Sequence, residues 1–186
     1  RHSFGFYYYQ EKVSDTVTQL NPNYFGSAKK VIRFPDFFYQ FSYIKMDYLP
    51  YPSKGLATRI KVSKLGLTPS FNLWQLHWKT VAAWPVGVKN IFTAESYAGL
   101  KLPFNQPYIN RRFLGYKDIF IRGFEYNVVD GVAGGYVRAQ FAREIARINL
   151  VLPGFIRKRA TVAAIPFRLF AKVYSNAGYV YSPTTI

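Results

Sequence analysis

The sequence has no cysteine. A disulfide framework and thiolate metal sites are therefore excluded, and the redox compartment stays open. Histidine is almost as scarce. His2 and His77 are the only two, and no His/Asp/Glu cluster has metal-ligand spacing. We expect no metal and no cofactor. Acidic residues number 9 against 25 Lys and Arg, giving a formal net charge of +16. No apolar run approaches the roughly 18 residues that a spanning helix needs. That absence does not exclude a membrane, because a barrel strand crosses with about 9–11 alternating residues. No signal peptide opens the chain at Arg1, and no initiator Met precedes it, so we expect a fragment or a processed chain. There is no G-x-S-x-G elbow. Gly134-Gly135 has no G-K-[ST] beside it and no helix signal after it, so it is not a phosphate loop. No catalytic residues are expected, and the protein is not expected to be an enzyme.

What the chain does have is aromatic residues and period-two alternation. Aromatics make up 19% of it, with 16 Tyr and 17 Phe. A basic, aromatic-rich chain can bind nucleic acid by stacking and phosphate contact. Here the aromatics are spread along the whole chain rather than clustered as a stacking platform, so nucleic acid is not the expected partner. Aromatics on an outer wall and charges in a wet lumen explain both features together.

The alternation predicts strands at Ser3 to Tyr9, Phe37 to Leu49, Leu56 to Gly66, Phe71 to Ala83, Gly87 to Ala98, Tyr136 to Leu152 and Ile165 to Asn176. Phe71 to Ala83 is the clearest. Trp74, Leu76 and Trp78 face one side, and Gln75, His77 and Lys79 the other. Tyr136 to Leu152 also fits helical spacing through Phe141, Ile145 and Ile148. The polar faces nominate Arg59, Lys61, His77, Lys79, Arg168 and Lys172 as lumen-facing. Trp74, Trp78 and Trp84 read as wall and interface aromatics. The basic runs Lys29-Lys30 and Arg157-Lys158-Arg159 read as solvated edges, with lipid phosphate as a second reading.

The connections alternate in length. Pro50 to Gly55 and Trp84 to Val86 read as tight turns, and Glu11 to Asp36 and Gly99 to Gly135 as long loops. Long and short connections fall on opposite edges, as an up-and-down barrel requires, although Leu67 to Ser70 is short for the long-loop edge. The expected fold is all-β: one partial antiparallel transmembrane β-barrel domain over residues 1–186, with an inserted loop over residues 99–135. A soluble sandwich would alternate too and is the second reading, although its polar face would look outward and its strands would be shorter, about 5–6 residues. About seven strands cannot close around a lumen, because edges facing lipid would be unpaired.

Within that loop stands Ile121-Arg122-Gly123-Phe124, followed by Asp130 and Gly134-Gly135. Here the sequence resembles the BamA/TamA family (bacterial surface antigen family) of outer-membrane β-barrel assembly factors. That family carries a V/I-R-G-F/Y motif in a long extracellular loop, then a D…GG stretch. A second match is Tyr174-Ser175-Asn176-Ala177-Gly178, resembling the family's F-x-D-x-G, with Asn176 where an acid usually stands. The resemblance implies a sixteen-stranded barrel preceded by POTRA domains, of which this chain would cover roughly strands seven to thirteen. It also implies an outer-membrane location in a Gram-negative bacterium. Implied partners are outer-membrane lipids, unfolded β-barrel clients and accessory assembly lipoproteins.

In the family, the motif arginine is held by acidic residues on neighbouring strands. Arg122 is thus expected to lock onto Glu144 or Asn176, because an arginine in a lumen is costly unless paired and hydrogen-bonded. Gly123 is expected to let the backbone approach the wall, and Phe124 to wedge against it. The implied function is folding and insertion of outer-membrane proteins, or polypeptide translocation. A passive pore or receptor barrel, and a barrel fused to a lipase-like domain, stand as alternatives.

Overall fold

The structure, a computed structural model, describes residues 1–27, 29–69, 71–116, 118–151 and 164–183. Seven long strands form one antiparallel sheet: β1 (His2–Lys12), β2 (Val31–Met46), β3 (Gly55–Thr68), β4 (Phe71–Val86), β5 (Asn90–Leu102), β8 (Ala133–Val151) and β9 (Ala164–Tyr181). Their order in space is their order in the chain. Between β5 and β8 the chain makes a 3₁₀ turn (Tyr108–Arg111) and a small ribbon of β6 (Arg112–Leu114) and β7 (Val129–Asp130). A short helix α1 (Asp15–Leu20) sits between β1 and β2. The sheet is open among the described residues: β1 and β9 each have one partner.

The register fixes two faces, since residues paired across antiparallel strands share a side. On one face, Tyr39, Val62, Leu76 and Leu100 lie in one cross-strand row, with Ile60 paired to Trp78 beside it. This face is apolar and uncovered. Trp74, Trp78, Val137 and Val173 are 52%, 51%, 56% and 73% exposed, where a water-facing sheet would carry polar groups. On the other face lie Lys61 paired to His77, Arg59 to Lys79, and Glu95 to Arg138. Most of the buried core lies on this polar side, at its long-connection end, where the chain between β5 and β8 covers it.

Several expected boundaries move. Glu11 to Asp36 is not one loop: β1 runs to Lys12 and β2 starts at Val31, with those two residues paired. Trp84-Pro85-Val86 is strand, paired to Asn90, Ile91 and Phe92, and the turn is residues 87–89. Both surprises involve proline. Pro35 lies beyond the β3 pair Asp36–Leu65, and Pro85 lies beyond the β3 pair Gly55–Ala83. One side of the strand is free at each, so the missing N–H breaks no ladder bond there. The inserted loop is shorter than Gly99 to Gly135, because β5 continues to Leu102 and β8 begins at Ala133. Tyr136 to Leu152 is strand rather than helix through Val151. A bulge between Glu144 and Ala146 shifts its register. Arg157-Lys158-Arg159 lies outside the described residues. Lys30 pairs with Asp15 at 2.8 Å on the surface.

Candidate functional site

The chain leaving β5 turns back over the polar face and is seated by groups from the strands beneath it. Lys101, buried, donates from Nζ to the carbonyls of Asn110 at 2.6 Å and Arg112 at 2.5 Å. Gln106 donates to the Pro103 carbonyl at 2.8 Å and accepts from Asn110 at 2.9 Å. Phe113 and Leu114 then pack on Tyr97 and Tyr136, with Ile119, Ile121 and Val180 around them. Tyr97 and Tyr136 stack at 5.4 Å, and His77 binds the Tyr97 hydroxyl at 2.7 Å. This is an apolar seat inside a polar face.

The loop is clamped at three consecutive residues. Arg138 of β8 donates to the Phe120 carbonyl. Ile121 lies over Gly178, where a Cβ would stand 2.5 Å from its Cδ1. The Arg122 carbonyl accepts a long 3.4 Å hydrogen bond from Asn176, and the Arg122 guanidinium donates to Gln140 Oε1 at 3.0 Å. The same guanidinium lies 5.5 Å from the centre of the Tyr174 ring. Beyond the clamp, Phe124 N donates to the Ile121 carbonyl at 2.9 Å, closing a turn. Gly123 occupies its third position with φ +86°, the left-handed backbone that such a turn asks of glycine.

No protein-family model and no curated protein matches this chain.

The wall beneath the clamp carries its own charge cluster. Glu95 accepts from the Tyr136 hydroxyl at 2.8 Å, from Arg138 at 3.3 Å through both oxygens, and from Lys79 at 3.3 Å. The Arg138 and Glu95 side chains are 9% and 16% exposed. Arg138 is also sandwiched by rings, 4.2 Å from Tyr136 and 4.9 Å from Phe120. Lys79 reaches Asp118 of the loop at 3.6 Å. In the loop itself, burial and then the Asp130 carboxylate push the Tyr116 hydroxyl up to about 12. It donates to Asp130 at 3.0 Å and stays protonated at neutral pH. The Gly123 N–H on the Glu125 carboxylate holds that group below its usual range.

The structure brings Arg122 and Asn176 together, but by the backbone of the first and the amide of the second. An amide can donate to a carbonyl in this way, and an ionised acid cannot. Glu144 is not an Arg122 partner. It lies four residues along β8 from Gln140, roughly 13 Å at strand rise. It binds Arg147 at 2.9 Å and Arg168 at 2.7 Å instead. A Cβ built on Gly123 would meet nothing within 4 Å, so the turn needs the glycine for its positive φ and not for room. Phe124 is 61% exposed, so it is not wedged into the sheet. Asp130 pairs with Arg112 in the β6–β7 ribbon, and Gly134 and Gly135 open β8.

Arg59, Lys61, His77, Lys79, Arg168 and Lys172 share the loop's face of the sheet by register. Lys61 lies over Phe38 at 4.5 Å and Lys172 over Tyr51 at 4.8 Å. Sequence reasoning did not single out Glu95, Arg138, Gln140, Lys101 or Gln106. The signal for the first two was available. Glu95 is one of 9 acids, and it sits on the polar face of a strand opposite an arginine-bearing one.

Proposed function

We propose that this chain is part of the wall of an outer-membrane β-barrel. The whole protein folds and inserts client β-barrel proteins, or passes polypeptide across that membrane. One observation carries the reading. The Ile121-Arg122-Gly123-Phe124 loop lies on the polar face and is gripped at Phe120, Ile121 and Arg122, while the opposite face exposes mostly apolar side chains, Trp74, Trp78, Val137 and Val173 among them. The resemblance of that motif to the BamA/TamA family adds the assembly role.

A closed barrel is what would pair the two free edges in a membrane. In hydrocarbon the unpaired N–H and C=O groups of β1 and β9 would each cost several kcal/mol, so further strands must flank both. The short turns then face the periplasm and the long connections the outside. Arg122 and the groups that grip its loop are structural. They hold the loop in the lumen while client strands template elsewhere on the barrel.

The test uses the full-length protein in lipid vesicles. Wild type is expected to accelerate folding of a urea-unfolded client barrel severalfold, read as heat-modifiable mobility on a gel. Arg138→Met combined with Arg122→Ala is expected to lose most of that acceleration. Ion conductance without any acceleration by wild type would overturn the assembly reading and leave a passive pore.

A further inference from the structure

The tight-turn edge carries a groove on the apolar face, where the β2–β3 hairpin ends and β4 runs on past it. Its volume is about 610 Å³. The register puts Lys45 beside Leu56 and Leu56 beside Ala82, in one row across three strands. Leu56 and Ala82 form a low floor. Tyr43 and Trp84 stand as walls, 44% and 49% exposed. Trp84 is fixed by stacking on Phe92 at 5.9 Å.

Two lysines, Lys45 and Lys54, mark the turn end of the groove. Neither ammonium has a hydrogen bond or ion pair among the described residues. The one acid there, Asp47, is already engaged. It accepts from Ser53 N at 3.0 Å, from Lys54 N at 3.1 Å and from the Ser53 hydroxyl. Its ionised carboxylate offsets one of the two lysines, so an apolar slot between two aromatics closes on one net positive charge, complementary to an acyl chain that ends in an anionic phosphate.

We propose that this groove binds one anionic glycerophospholipid of the periplasmic leaflet. An acyl chain lies along Leu56 and Ala82 between Tyr43 and Trp84, and the phosphate sits between Lys45 and Lys54. The assignment rests on the membrane reading above, which places the tight turns at the periplasmic surface.

The experiment reconstitutes the full-length protein in phosphatidylcholine vesicles containing a minor fraction of phosphatidylglycerol. One of the two lipids carries bromine on its acyl chains. The Trp84 signal is isolated as the difference between wild type and Trp84→Phe. Brominated phosphatidylglycerol is expected to quench Trp84 as if enriched roughly fivefold over its bulk fraction, from about 1 kcal/mol for one net positive charge near an anionic lipid. The enrichment falls with added salt and disappears in Lys45→Gln/Lys54→Gln. Quenching by both lipids in proportion to their bulk fractions would overturn the site while leaving the wall in the membrane. Absence of quenching by either lipid would overturn the membrane reading as well.

Discussion

Arg138, not the motif arginine, is the residue whose loss should free the loop most readily. Its side chain is 9% exposed and its partner Glu95 16%. Removing one member of a buried pair typically costs about 3–5 kcal/mol, because the other charge is left uncompensated. Glu95 keeps Lys79 and the Tyr136 hydroxyl in Arg138→Met, which places this case near the lower figure. The Phe120 carbonyl also loses its donor, a further cost of about 1 kcal/mol. Arg122→Ala removes one hydrogen bond to a neutral amide and one ring contact at a half-buried position. At the low end for a charged donor, those contributions total about 2 kcal/mol. The two variants should therefore differ by about 2 kcal/mol, a factor of roughly 30 in the unfolding equilibrium. Urea titration of the purified full-length protein in detergent measures the stability. Proteolysis at the fully exposed Tyr126 measures loop release. A second substitution sharpens the reasoning: Glu95→Gln added to Arg138→Met should recover part of the loss, since the stranded charge is gone. If Arg122→Ala costs as much as Arg138→Met, or if Glu95→Gln worsens the double variant, the clamp has been assigned to the wrong arginine.

Two further outcomes follow from single positions. Gly178→Ala should destabilise by about 1–3 kcal/mol, because its Cβ meets Ile121 Cδ1 at 2.5 Å with the Gly135 carbonyl oxygen at 3.2 Å behind it. Adding Ile121→Val removes the clashing methyl, and chemical denaturation should then show a favourable coupling between the two; strict additivity would count against the contact. Asp47 is held near 2, below its usual 3.8, first by the Ser53 hydroxyl and then by the backbone N–H groups of Lys54 and Ser53. A depressed carboxyl stabilises the turn above the usual value and loses that contribution as pH falls through the folded one. The Ser53 and Lys54 amide resonances should thus titrate near pH 2, and a midpoint near 4 would refute the arrangement.

The strands were legible because burial imposes period two on them. Trp74, Leu76 and Trp78 against Gln75, His77 and Lys79 is the same division that the register shows. The connection parity was legible for a similar reason, since Gly and Pro mark turns. Pro35 and Pro85 misled through that same rule, because a proline is silent about whether its strand has a neighbour on both sides. The motif residues 121–124 stood out, but their grip did not. Glu95, Arg138 and Gln140 matter through cross-strand neighbours, and neighbours are set by register rather than by local pattern. Glu144 was misassigned on similar grounds. It has the right charge on the right face, four residues too far along.

The inserted loop also touches the connection between β1 and β2. Arg112 donates to the Tyr24 hydroxyl at 2.9 Å, across 88 residues of chain. Ile109 packs with Phe25, Phe34 and Phe71. The loop thus rests on β2, β4, β5, β8, β9 and a distant connection together. A slip of one residue in any of these strands would turn its seat residues to the opposite face. Docking of the loop therefore works as a checksum on the sheet. It closes only over strands that are all in step, and contacts so distant in sequence form late.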